Sequence, residues 1–218
     1  MIAITSSPSQ VGVVERSGGY GVLNNEAHMI KTTRQRTLKA GTWIWSAVLL
    51  AVFAVSFVTI QVLAARTAGG YPTPPFFHFF FSDTIHMKAW LATGAIVLAL
   101  FQALTGARLF EIVRFAPYGR FWSRIHRGSG YLAILLTLPV AYHCIFLLGF
   151  ETTTVRVAVH SLLGSAFYGA FLGKVIVVRS GAFPGWALPV AGALLFAILF
   201  GLWATSSLYL FSRNPLTL

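Results

Sequence analysis

Acid is scarce in this chain, and so is charge of any kind. Of its 218 residues, five are Asp or Glu and sixteen are Lys or Arg, and charged residues make up 10% of the whole. A soluble domain carries about 25%. The five carboxylates, Glu15, Glu26, Asp83, Glu111 and Glu151, fall in the tail, in loops or at helix ends. That excludes a di-carboxylate metal site and a proton relay built from Asp and Glu. It also excludes a Ser–His–Asp hydrolase, whose Asp would have to sit deep among the helices. Cysteine is nearly absent. A single residue, Cys144, rules out an intrachain disulfide and a multi-cysteine metal site. It reads most simply as a small core hydrophobe.

What the chain has instead is apolar length. Hydrophobic residues reach 56%, with a mean hydropathy of +0.75. Runs of roughly 18 or more apolar residues mark membrane-spanning helices. Five segments qualify, at about 43–65, 84–107, 127–150, 155–178 and 184–211. In the fourth, Lys174 interrupts the run and snorkels toward the interface. The fold class expected is an all-α integral membrane protein, with five transmembrane helices around a four-helix bundle of the haem-binding type. Residues 1–40 read as a polar, poorly ordered cytoplasmic tail and 41–218 as the membrane domain. No charged-then-apolar leader with a cleavage site opens the chain, so the first span is expected to remain as an anchor.

The net charge of +11 is not a nucleic-acid signal, because the basic residues flank the spans. Lys31, Arg34, Arg36 and Lys39 precede the first. Arg108, Arg114, Arg120, Arg124 and Arg127 lie between the second and third, and Lys174 and Arg179 close the fourth. The positive-inside rule then places the N-terminus in the cytoplasm and the C-terminus outside a plasma (inner) membrane. Membrane lipids are the partners of those loops.

Six histidines remain to be explained. His28 lies in the tail and His78 in the Phe-rich first loop, "RTAGGYPTPPFFHFFFSDTI". The other four, His86, His126, His143 and His160, lie in the spans or at their ends, where an ionisable group is expensive and needs a partner. His126 and His143 are about 25 Å apart at the helical rise, so they serve two levels of the membrane. Three histidines, His86, His143 and His160, gather at the outer level. Two imidazoles on facing helices suit a six-coordinate b-type haem. If consecutive helices are neighbours, the second and fourth are diagonal, which favours His86 with His160; His143 with His160 is the second choice. Gly130 and Gly164 each lie four residues after a histidine, on its face of the helix. They leave room for a flat macrocycle or simply let helices pack closely.

Three segments carry a resemblance. "HMKAWLATGAIVLALFQALTGAR" (86–108), "RIHRGSGYL" (124–132) and "HSLLGSAFYGAFLG" (160–173) resemble the ligand helices of the cytochrome b-561 family of transmembrane electron carriers. The family holds two haems, one near each face. The resemblance implies an outer haem on His86 and His160, and an inner one on His126 and a histidine of the next helix. That helix, "PGWALPVAGALLFAILFGLWATSSLYLF", has none. The expectation is therefore one haem b, near the outer face, with His126 left to cap its helix, contact lipid phosphate or bind a quinone. "PVAYHC" and "HSLLG" also resemble segments of uncharacterised five-span membrane proteins of actinobacterial type.

The function expected is single-electron transfer between a quinol, or small reductant, and an outer-side acceptor or redox protein. The alternative is a non-catalytic subunit or assembly factor of a respiratory complex, in which the histidines only tie helices together.

Overall fold

A computed structural model describes the backbone of residues 17–67, 76–113 and 120–213, with side chains from Gly41 onward. The readings made above for residues 1–16, for the side chain of His28 and for much of the first two loops lie outside these residues. The chain divides into two units, 1–43 and 44–218. In the first, residues 17–40 are helical, where the sequence reading expects a poorly ordered tail. Strong helix formers, among them Glu26, Ala27, Met29, Gln35 and Leu38, are frequent there.

The protein is all-helical among its described residues. The helices are α1 (Ser17–Thr67), α2 (Thr84–Leu109), α3 (Arg120–His143), α4 (Val155–Ser180), α5 (Ala187–Trp203) and the short α6 (Tyr209–Arg213). A π-helical turn, Cys144–Leu148, extends α3, and a second, Ala204–Leu208, joins α5 to α6. Five segments are long and apolar enough to cross a membrane: Gly41–Arg66, Thr84–Leu109, Arg120–Leu148, Val155–Ser180 and Ala187–Arg213. The third starts seven residues before its expected position, because the basic stretch from Arg120 to Arg127 is itself helical.

Local chemistry sets the helix ends. Asp83 caps α2 and accepts from the amides of Ile85 at 2.7 Å and His86 at 2.8 Å. Thr154 caps α4 in the same way, through the Val157 amide. Gly181, at φ 60°, ends α4 in the left-handed region. Gly149, at φ 72° and ψ −166°, ends the first π turn in a conformation open almost only to glycine.

Helices α2 to α5 close on one another, and polar ties join each neighbouring pair. Gln102 of α2 donates to Ser129 Oγ of α3 at 2.6 Å, and to the His126 carbonyl. Thr137 of α3 and Tyr168 of α4 share a hydrogen bond at 3.1 Å. Arg156 and His160 of α4 both reach Thr205, beyond the end of α5. Trp203 Nε1 donates to Thr93 Oγ1 of α2 at 3.0 Å, which closes the ring. Helices α2 and α4 are thus diagonal. Between hydrocarbon-solvated helices, such bonds and close packing take the place of the hydrophobic effect. Ala95, Ile96, Phe167, Ile198 and Leu199 form the apolar centre. The outer faces carry exposed Leu50, Val55, Leu100, Leu135, Val190 and Leu194, as lipid contact demands. Helix α1 lies against α4. Phe53 sits over Gly169, Leu49 over Gly173, and Gln61 donates to Ser165 Oγ at 3.1 Å.

Candidate functional site

The end of the bundle opposite Arg108 and Arg179 holds a cavity of about 510 Å³. Helices α1 to α4 and α6 reach it, and α5 does so only through the π turn that follows it. Its apolar walls include Ile60 and Ala64 of α1, Ile85 of α2 and Val140 of α3. Its polar lining is Lys88, Glu151, Arg156, His160, Ser161, Ser165 and the run Thr205–Ser207. Both π turns contribute, through Cys144 and Leu148 on one side and Thr205 to Ser207 on the other. A π turn widens the helix and re-aims the side chains after it, and such turns recur at functional sites.

His160 is the histidine that lines this cavity. Its Nδ1 lies 2.9 Å from Thr205 Oγ1. The Thr205 hydroxyl already gives its proton to the Gly201 carbonyl at 2.7 Å. With that proton committed, the imidazole donates from Nδ1 and carries its lone pair on Nε2. This is the tautomer a metal ligand needs, with the other nitrogen anchored behind it. The ring also makes a hydrogen bond to the Leu202 backbone.

His126 Nδ1 is 2.8 Å from Thr105 Oγ1, whose proton goes to the Phe101 carbonyl at 2.9 Å. His143 donates from Nδ1 to the Pro139 carbonyl at 2.8 Å, while its Nε2 accepts from the Phe77 amide at 3.4 Å. His86 donates from Nδ1 to Asp83 Oδ2 at 2.7 Å. His78 donates to the Phe81 carbonyl at 2.6 Å. All five described histidines are thus held through Nδ1.

The structure does not gather the outer three. His86 is clipped to Asp83 and does not line the cavity. His143 is fully buried one residue before Cys144, under the rings of Phe76, Phe77 and Tyr142. Among the described residues, no group of three or more His, Cys, Asp or Glu converges to hold a metal ion. Of the described histidines, His160 alone lines the cavity. Gly164 does line the cavity, and a Cβ placed on it would stand 3.9 Å from Leu202 Cδ2. Gly130 makes no room for a macrocycle: the Gln102 amide fills that space, 3.3 Å from where a Cβ would stand. His126 lies in the α2–α3 contact, its Cε1 3.6 Å from where a Cβ on Gly106 would stand.

Charge in the cavity is unbalanced. Lys88 makes no hydrogen bond or ion pair among the described residues. Arg156 donates to the Thr205 carbonyl at 2.6 Å and lies over the Tyr209 ring at 4.0 Å, with no carboxylate. Glu151 is joined to Ser161 through its backbone alone. The buried Ser207 hydroxyl has no hydrogen-bond partner among the described residues. Sequence reading passed over Lys88, Arg156, Thr205 and Ser207. The signal was present in "ATSSL", a polar run inside an otherwise apolar span.

A second, apolar groove of about 630 Å³ runs between α1, α3 and α4, lined by Val52, Val55, Leu138, Phe146 and Leu172 among others. Ile60 and Ile145 line both it and the cavity.

Over residues 44–218 the chain matches the model of a family of unknown function, DUF6529, and it belongs to that family. No curated protein and no solved structure matches it.

Proposed function

We propose that this member of DUF6529 is an integral membrane electron carrier whose cavity would take one haem b, held by the His160 imidazole. The observation that carries the reading is the Thr205–His160 pair, which anchors through Nδ1 a histidine that lines a cavity of about 510 Å³. A haem bound there supplies a one-electron couple. The chain's own part is to ligate, to orient and to keep water out. Thr205 fixes the tautomer and ring angle of His160. The apolar walls from Ile60, Ile85 and Val140 set a low dielectric. By the distribution of basic residues the cavity lies toward the outer face of the plasma membrane, with the N-terminus cytoplasmic and the C-terminus outside. The electron donor is a quinol or small reductant and the acceptor lies on the outer side.

Oxidised and dithionite-reduced absorbance spectra of the detergent-purified protein, with haem quantified per chain, test the reading. A sharp reduced α-band at about one haem per chain is expected, with loss of the haem in His160→Ala. Full occupancy in His160→Ala removes His160 from the site. Absence of a Soret band after expression with ample haem removes the cytochrome.

A second reading is favoured by the ring of polar ties that joins α2 to α5. There the histidines serve only to hold helices, in a non-catalytic subunit or assembly factor of a larger redox complex. A colourless protein that co-purifies with such a complex would bear this out.

A further inference from the structure

A lone ammonium in a largely apolar cavity between membrane-spanning helices is costly unless an anion meets it. Lys88 has no such partner among the described residues. The nearby chemistry adds to the deficit. Arg156 is satisfied by a carbonyl and an aromatic face, and so keeps its full positive charge. Glu151 is the single carboxylate of the lining, and no ion pair joins it to either cation. The lining therefore carries two positive charges against one negative. Ser207 adds an independent sign. The residue lines the same cavity, and its buried Oγ has no hydrogen-bond partner among the described residues. A buried hydroxyl left unpaired loses its hydration without compensation, so such groups normally have a partner in the functional state. Helix α2, which carries Lys88, packs against the π turn that carries Ser207.

We infer that Lys88 and the Ser207 hydroxyl form an anion subsite in the His160 cavity, which takes the carboxylate or phosphate of an amphipathic occupant. The occupant's apolar body lies along Ile60, Ile85 and Val140. The inference rests on the reading of the cavity as a cofactor site, under which the anion is a haem carboxylate. An acidic lipid headgroup has the same chemistry, and the experiment separates the two.

The full chain is purified in nanodiscs as wild type, Lys88→Met, Lys88→Arg and Ser207→Ala, and haem per chain and midpoint potential are measured. Loss of a positive charge beside a haem disfavours the reduced form, so Lys88→Met lowers the potential. Lys88→Arg restores it, and Ser207→Ala moves it in the same direction by less. An unchanged potential in both Lys88→Met and Ser207→Ala overturns the subsite. Should the wild type prove colourless, the haem reading fails and native mass spectrometry decides the subsite by itself. The probes are then vesicles of phosphatidylglycerol and of phosphatidylcholine. Retention of phosphatidylglycerol over phosphatidylcholine, weakened roughly tenfold or more in Lys88→Met, as expected for a lost charge-assisted bond, upholds it. Equal retention of the two lipids, or no effect of either substitution, removes it. Ser207→Ala, smaller by one oxygen, keeps the test alive if Lys88→Met fails to fold.

Discussion

Thr105 stands to His126 as Thr205 stands to His160. In each pair a threonine on a neighbouring segment accepts from Nδ1, at 2.8 and 2.9 Å, after giving its own proton to the carbonyl four residues back. The two pairs lie at opposite ends of the bundle, and only the second opens on the large cavity. A hydroxyl that is already committed as a donor leaves the imidazole no choice of tautomer. The threonines are therefore positioning residues for the Nε2 lone pairs.

Thr205→Val keeps the shape and removes the acceptor. Loss of a group that orients a metal-ligating histidine typically weakens the metal site about 10–100-fold. Haem retention should fall by that order on stepwise dilution or competition with apo-myoglobin, and Thr205→Ser should restore it. Retention equal to wild type in Thr205→Val would show that the hydroxyl does not set the tautomer.

Close packing of α1 on α4 depends on Gly169. A Cβ there would meet Phe53 Cδ2 at 2.9 Å, with the Phe53 carbonyl oxygen at 3.2 Å and its Cα at 3.4 Å. At Gly201 the Cβ would meet only the tip of a side chain, Leu163 Cδ1, at 2.6 Å. A side-chain tip can swing aside and backbone cannot. Gly169→Ala should therefore cost more than Gly201→Ala, within the roughly 1–3 kcal/mol usual for overpacking. Thermal unfolding in detergent measures both. A larger loss at Gly201 would reverse the argument.

Gln102 bridges α2 and α3 by donating to Ser129 Oγ and the His126 carbonyl. Gln102→Leu removes both bonds, and hydrogen bonds between membrane helices contribute about 0.5–1.5 kcal/mol each. Stability should fall by that order while the haem spectrum stays as in wild type, since the cavity is at the other end. A changed spectrum in Gln102→Leu would place the cofactor near His126 instead.

The Asp83 carboxyl is held below its ordinary range, first by the His86 amide, then by the His86 imidazole and the Ile85 amide. A lowered folded-state value stabilises the fold above the unfolded carboxyl's value of about 3.9, and the gain is lost as pH falls through the folded value. The difference in melting temperature between wild type and Asp83→Ala should be level from about pH 7 down to about pH 5 and shrink below pH 4. A difference that grows on acidification would contradict the cap.

Much of this was legible in the sequence, because a membrane constrains a helix more tightly than water does. All five spans follow from hydropathy alone. The diagonal placement of α2 and α4 follows from short connections between antiparallel neighbours. His160 was picked out as a polar group in an apolar helix, and it does line the cavity. The packing of His143 was not legible. His143 lies under Phe76 and Phe77, 67 and 66 residues earlier in the chain, and nothing in its own helix announces that contact. Thr205 and Ser207 escaped for a local reason. A π turn inserts a residue into the helical count, so a 3.6-residue period aims the side chains after Ala204 wrongly. Gly130 shows a third limit. Spacing set it on the face of His126, but spacing cannot say that Gln102 fills that face.

Ile60 and Ile145 belong to the walls of both the cavity and the lipid-facing groove. The phase that bounds the site on that side is therefore hydrocarbon, and an amphiphile's abundance there is a mole fraction in the bilayer, not a molarity in buffer. A detergent alkyl chain is as good a tenant of the groove as a native one. Washing at high detergent-to-protein ratio thus acts as dialysis against the site, and occupancy on purification will track the lipid carried over with the protein.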